Sequence, residues 1–195
     1  MLVVLFVSME EHMPDTGWAS VSAPYVRPRR PGEADAWTEE AAAHGHVGTN
    51  RLRGVEEASP PREVADVLDL GPEGTAVIRR RLVLLDGRPT ELADSYYPAS
   101  IARGTRLAEE RKIAGGALTA LAELGFRPHS AEESVTARPS TKPEQDALDI
   151  HPEDWVMVLT RVLRTDTGMP IEATVMTMVA DGRELRYRMI INEEL

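Results

Sequence analysis

Stretches with a two-residue hydrophobic period alternate with stretches of helical period bounded by Gly and Pro. The clearest strand-like stretch spans residues 77–98. Two runs rich in β-forming residues flank Asp86-Gly87, which predicts a β-hairpin. Arg79, Arg80 and Arg81 interrupt its otherwise apolar first strand. Alternation puts Arg79 and Arg81 on one face with Val77, Val83 and Leu85, and Arg80 on the other with Ile78, Leu82 and Leu84. Apolar neighbours on both faces predict a strand covered on both sides. A three-residue loop, 86–88, sets Arg81 opposite Ala93 and Arg79 opposite Ser95, so that Arg79, Arg81, Glu91 and Ser95 line one face. A two-residue loop shifts the register by one and breaks this grouping. The sequence allows either.

The other elements follow in order. Residues 33–44 predict an Ala- and Glu-rich helix stopped by Gly45, with Trp37 and Thr38 in its early turns. Residues 47–57 predict a strand. Ser59-Pro60-Pro61 predicts a helix running to Leu70, with Ser59 as N-cap and Pro60 at the first position. Residues 101–112 predict a loop or a short helix. A helix over 115–124 has Leu118, Leu121 and Leu124 as its apolar stripe and Gly125 as its stop. Its start, 112–116, offers backbone N–H groups that suit an anion; an ordinary glycine-bearing entry loop reads the same way. Residues 126–138 predict a strand, Thr141-Lys142-Pro143-Glu144 a capping box for a short helix to Ile150, and 183–191 a last strand. Six or seven strands, mostly in hairpins, with about four helices predict an α+β class: an antiparallel sheet flanked by helices.

The hairpin has an echo. Leu68-Asp69-Leu70-Gly71-Pro72-Glu73 resembles Leu148-Asp149-Ile150-His151-Pro152-Glu153, and a strand follows each, 75–85 and 155–164. A Gly-x-Pro turn then opens a strand that starts with Glu, at Gly87–Glu91 and Gly168–Glu172. The match is short, so chance and a true repeat both remain. A repeat places Glu91 and Glu172 in equivalent positions, where both carboxylates can face a pocket between the units.

Composition narrows the function. The chain has 195 residues and a net charge of -10, which argues against a general nucleic-acid-binding surface. It has no cysteine, so disulfides and thiolate metal sites are excluded. Residues 1–7 are apolar but far too short to span a bilayer, and they lack the basic region and cleavage site of a signal peptide. They read as a short strand or as a start codon placed too early. Residues 25–32 form a basic, Pro-rich linker, either solvated or touching phosphate. His44 and His46 are a close pair without nearby carboxylates or thiolates, a poor metal site. No nucleophile elbow, phosphate loop or dinucleotide fingerprint is present. What remains is Arg79, Arg81, Glu91, Ser95 and Glu172. Guanidinium groups two residues apart on a strand can clamp a carboxylate or phosphate, and facing carboxylates can accept ligand protons. A structural Arg–Glu network fits the same residues.

Arg79-x-Arg81 followed by residues 86–98 resembles the central hairpin of the UTRA domain, the effector-binding domain of the HutC subfamily of GntR-type transcriptional regulators. The resemblance extends over 33–191. It includes Trp37-Thr38-Glu39-Glu40, residues 111–116, Gly168-Met169-Pro170-Ile171-Glu172, Val179-Ala180-Asp181 and Arg186-Tyr187-Arg188, most in the actinobacterial manner. It implies a chorismate-lyase-like fold, a homodimer, and a pocket between sheet and helices for a small anionic metabolite bearing phosphate or carboxylate. By position it carries ligand-binding roles onto Arg79, Arg81, Glu91, Glu172, Trp37, Thr38 and Gly115, and Ser95 joins them as a candidate from the shared strand face. Gly115 stands where sugar-phosphate sensors often place Ser, and Met178 where an aromatic contact often stands.

Residues 1–32 then read as a tail and basic linker, the remnant of a winged-helix end, and 33–195 as the effector-binding domain. The stretch before the linker is too short for the family's winged helix-turn-helix, which leaves a truncated reading frame or a free-standing sensor. The expectation is a cytoplasmic sensing and dimerisation module, not an enzyme, without cofactor, metal or membrane contact. It meets DNA only through a winged helix absent from this chain. A chorismate-lyase-like enzyme and a sensor subunit that pairs with an intact regulator are the alternatives.

Overall fold

The computed structural model describes residues 18–20, 23–29 and 33–187. Strand β1 (Trp18–Ser20) and a 3-10 turn (Ala23–Val26) precede helix α1 (Ala36–Ala43) and strand β2 (Gly48–Ala58). Helix α2 (Arg62–Val67) leads into the hairpin β3 (Ala76–Leu85) and β4 (Arg88–Pro98). Helix α3 (Ala99–Ala102), a 3-10 turn (Arg106–Ala108) and helix α4 (Gly116–Glu123) cross one face. Strand β5 (Ser130–Pro139), helix α5 (Lys142–Leu148) and the hairpin β6 (Trp155–Arg164) and β7 (Pro170–Val179) follow, then β8 (Arg183–Leu185). Six strands form one antiparallel sheet in the order β2-β3-β4-β7-β6-β5. The α+β expectation holds.

The hairpin register resolves in an unexpected way. Asp86 and Gly87 both have positive φ, 51° and 79°, as a two-residue turn of primed type requires. Leu85 therefore pairs with Arg88. A bulge between Val83 and Leu84 then absorbs one residue of β4, and Arg81 faces Ala93 while Arg79 faces Ser95. The grouping of Arg79, Arg81, Glu91 and Ser95 survives, although the loop has two residues.

The repeat is structural. Each unit is strand, helix, hairpin: β2-α2-β3-β4 and β5-α5-β6-β7. Asp69 and Asp149 both end their helices in the left-handed region, at φ 54° and 56°. Glu91 sits opposite Val83 and Glu172 opposite Leu163, each beside a bulge. The units meet at the antiparallel pair of β4 and β7.

Both sheet faces are covered. On one face α2 and α5 bury Val64, Leu68 and Leu148 against Ile78, Tyr96, Leu82 and Val156. On the other, the 99–126 segment packs Ile101, Leu107, Ile113 and Leu121 onto Val77, Tyr97, Leu163 and Ile171, and Trp37 covers Val83 and Ala93. Gly48 lets α1 approach β2: a Cβ there would lie 2.7 Å from the Ala41 Cβ and 2.8 Å from the Trp37 carbonyl.

Several boundaries depart from expectation. Helix α1 starts at Ala36, because Asp35 caps it by accepting from Thr38 N. Helix α2 starts at Arg62, not at Pro60 under a Ser59 cap. Pro61 disfavours helical geometry at the residue before it, so Pro60 lies outside the helix and Pro61 takes the N-cap place. Leu124 is 43% exposed and leaves the stripe to Leu118 and Leu121, since α4 ends one residue earlier. Phe126 is no strand residue; it packs into the core ahead of β5. The Thr141–Glu144 capping box is present. The final strand is short, and β8 pairs in parallel with β1, which no sequence period announced. Residues 1–7 and 188–191 lie outside the described residues.

Candidate functional site

Strands β3, β4, β7 and β6 form the floor of a cavity on the face opposite α2 and α5. Its roof is α1, the 3-10 turn at 23–26 and the start of α4. The cavity has two adjoining lobes of about 200 and 560 Å³ that share Arg81 and Tyr97 in their walls.

Arg81 projects from β3 into both lobes. Its Nη2 donates to Ser95 Oγ at 3.0 Å, and it has no ion pair among the described residues. From Ser95 a buried hydroxyl chain runs to Thr174 (2.9 Å) and on to Glu172, whose Oε1 accepts from Thr174 Oγ1 at 2.8 Å and from Tyr97 OH at 3.1 Å. Burial and the neighbouring Glu172 charge push the Tyr97 hydroxyl up, so it stays a donor.

Arg79 goes elsewhere. It is 5% exposed, and its guanidinium donates to the carbonyls of Leu107 and Glu109 at 2.8 Å and of Arg111 at 2.7 Å. It ties the 103–112 loop to the sheet, and this use of its donors accounts for a buried cation without a carboxylate.

Glu91 lines the cavity and makes no hydrogen bond or ion pair among the described residues. Burial raises its carboxyl above the ordinary range, while Arg183, Arg81 and Arg161 pull it down. Glu91 faces Met178 across the β4–β7 ladder, and Glu172 lies one step beyond the Tyr96–Ala173 pair. The two carboxylates therefore stand six residues apart along the strands, about 20 Å between backbones. Both carboxylates nevertheless border the smaller lobe, toward opposite ends of the β4–β7 pair.

Trp37 Nε1 donates to Leu84 O at 2.9 Å, and the Arg183 guanidinium lies 5.9 Å from the Trp37 ring centre. Thr38 Oγ1 lies 2.9 Å from Asp35 Oδ1 and 3.3 Å from Gly48 O, at the edge of the larger lobe. Burial opposes the Asp35 charge, yet the Thr38 backbone and side-chain hydrogen bonds, with Lys112 beside it, hold its carboxyl below the usual range. Gly115 has φ 78° and caps α4, and Lys112, Gly115 and Gly116 border the same lobe as Arg81. Of the eight expected residues, Arg81, Glu91, Glu172, Trp37 and Gly115 border the smaller lobe and Arg79 and Thr38 the larger; Ser95 is fully buried behind Arg81.

Sequence reasoning missed much of the wall. Tyr25 and Arg29, read as linker, line the cavity; Tyr25 OH donates to Glu40 at 2.7 Å, and Arg29 N to Thr119 Oγ1 at 3.1 Å. Arg161 was missed too. It is 9% exposed, and its Nε donates to Glu133 Oε1 at 2.5 Å. The repeat held the signal, since Arg161 occupies on β6 the place of Arg81 on β3. His44 Nδ1 is 2.8 Å from Glu40 O and His46 Nδ1 2.6 Å from Asp86 Oδ2.

A two-unit antiparallel sheet with an Arg- and Glu-lined cavity matches a known domain. The UTRA domain matches residues 43–182. The chain belongs to the UTRA domain family. An uncharacterized HTH-type transcriptional regulator of Streptomyces coelicolor is 28% identical over 149 residues, 73% of this chain and 55% of that protein. The chain thus spans little more than half of that relative. Among solved structures, one assigned to the GntR family of transcriptional regulators has a TM-score of 0.76 at 21% identity, over 90% of this chain and 71% of that one. The effector domain of PhnF from Mycobacterium smegmatis has a TM-score of 0.69 at 18% identity, over 80% of this chain and 95% of that one. These two share the UTRA fold. Among the described residues of this UTRA domain no helix is long and apolar enough to cross a membrane.

Proposed function

We propose that this UTRA domain senses a small effector for a transcriptional regulator of the GntR family, HutC type. The effector carries an anionic group for Arg81 and hydroxyl or amine donors for Glu91. One observation carries this reading: a guanidinium and a carboxylate face the same cavity and neither has an ion pair among the described residues. Such charges are costly to desolvate unless a partner arrives. Arg79 and the buried Ser95 serve here by positioning the loop and Arg81, and Lys112 with the α4 start lends positive potential to the larger lobe.

A thermal-shift screen of phosphates and carboxylates tests the reading. Some members raise the melting temperature of the wild type, and Arg81→Ala weakens their binding by roughly 2–5 kcal/mol, the usual cost of breaking a desolvated charge pair. A wild type that none of them stabilises refutes it. The same reading makes the domain a homodimer in the cytoplasm, with DNA contact left to a helix-turn-helix. Light scattering that finds only monomer at micromolar concentration refutes the dimer.

A further inference from the structure

The sheet holds two copies of one unit, and the copies differ where they meet the cavity. Arg81 pairs across its ladders with Leu52 and Ala93, and Arg161 with Glu133 and Thr174. Glu91 and Glu172 correspond as well: Met178 is the strand partner of Glu91, and Tyr97, one step past the last β4–β7 pair, donates to Glu172. In the second unit each charged group is closed by the protein itself. Arg161 has Glu133 at 2.5 Å, and Glu172 accepts from Thr174 and Tyr97. Around Arg81 and Glu91 every corresponding position is apolar: Leu52 for Glu133, Ala93 for Thr174, and Met178 of the second unit for Tyr97 of the first. Arg81 keeps one hydrogen bond, to Ser95, and Glu91 none among the described residues.

We propose that the effector supplies to the charges of the first unit what the protein itself supplies to those of the second. Its anion lies on the β2 side of Arg81, against Leu52, in the place that the Glu133 carboxylate takes beside Arg161. Its hydroxyl or amine donors meet Glu91 in place of the Tyr97 and Thr174 hydroxyls. This deepens the effector-site reading and rests on it. Leu52 borders the larger lobe beside Arg81 and is only partly covered, so an anion has access to that side of the guanidinium. Strands β2 and β4 stand about 10 Å apart, which a single small molecule spans once the side chains converge. Leu52 is then a specificity-determining residue. An aliphatic side chain there keeps Arg81 available, where a carboxylate would satisfy it.

Inorganic phosphate serves as the probe, with titration and melting curves on the wild type, Leu52→Glu, Leu52→Gln, Leu52→Glu with Arg81→Gln, and Glu133→Leu. Leu52→Glu is expected to melt several degrees higher and to bind phosphate at least tenfold more weakly. Leu52→Gln, of the same size but uncharged, keeps the phosphate response. The stability gain disappears when Arg81→Gln is added. Glu133→Leu melts lower, and phosphate restores part of the loss at Arg161. The inference is overturned if Leu52→Glu binds phosphate as the wild type does, or if its stability gain persists without Arg81. A wild type indifferent to phosphate speaks against phosphate as a mimic of the effector. The melting temperatures then decide, and Leu52→Glu without an Arg81-dependent rise sinks the inference on its own.

Discussion

Arg161 and Arg81 occupy equivalent places on β6 and β3, yet one is closed and the other open. The side chains of Arg161 and Glu133 are 10% and 11% exposed and bonded to each other, and the Arg161 guanidinium lies 6.0 Å from the Tyr25 ring centre. Arg81 meets a leucine where Arg161 meets that glutamate. A duplicated scaffold thus allows a division of labour. One copy holds its charges in an ion pair and hydrogen bonds at the cavity wall. The other presents the same charges to that cavity without an ion pair among the described residues. Charged groups in corresponding positions have different meanings because their cross-strand neighbours differ.

The largest expected effect breaks the closed side. Glu133→Ala leaves Arg161 buried without its partner, which costs roughly 3–5 kcal/mol. Urea denaturation checks this, and a loss below about 1 kcal/mol would show that the pair behaves as an exposed one. Next comes Arg79→Ala, which removes three charged hydrogen bonds to the 103–112 loop and costs on the order of 2–3 kcal/mol. Limited proteolysis is expected to cut first within that loop; unchanged cleavage contradicts the tether. Gly115→Ala is smaller, about 1–2 kcal/mol for a side chain at positive φ. Its Cβ would also lie 3.2 Å from the Thr119 Cγ2, so the α4 entry shifts, as amide exchange at 115–119 would report.

The smallest effect has the opposite sign and belongs to the open side. Burial makes Glu91 bind its proton more tightly in the folded state than in the unfolded chain. Its contribution to stability therefore falls as pH rises from the ordinary glutamate range through the raised folded value. Glu91→Gln removes this dependence, so without ligand the variant is more stable than the wild type near neutral pH. The difference shrinks under acid. Glu144 runs the other way: the hydrogen bond from Arg138 holds its carboxyl at about 2. Its stabilisation is present above the ordinary value of 4.5 and lost as pH falls toward 2. Melting curves across pH separate the two, and a Glu91→Gln variant less stable than the wild type at neutral pH would mean that Glu91 has an internal partner.

Local chemistry was legible where short-range forces decide. Asp86-Gly87 marked the place of the turn though not its loop length, Thr141 and Glu144 specified their capping box, and the alternation around Arg79–Arg81 a strand covered on both faces. The echo between residues 68–91 and 148–172 announced the two units, since each carries the same helix stop, strand and bulged hairpin. These features lie within a few residues of one another, so sequence order is enough to read them.

Which arginine keeps donors for the cavity was decided only in three dimensions. Arg79 and Arg81 are indistinguishable by strand period, but loop 103–112 lays its carbonyls over one and leaves the other uncovered. Leu52 and Glu133 read as ordinary strand residues until β2 and β5 dock beside β3 and β6. Tyr25 and Arg29 read as linker until α1 and α4 fold around them. The sequence by itself determined the two repeated units, their turns and the charged residues they carry. The tertiary structure alone decided which charges find a partner, because pairing across strands depends on contacts between residues far apart in the chain.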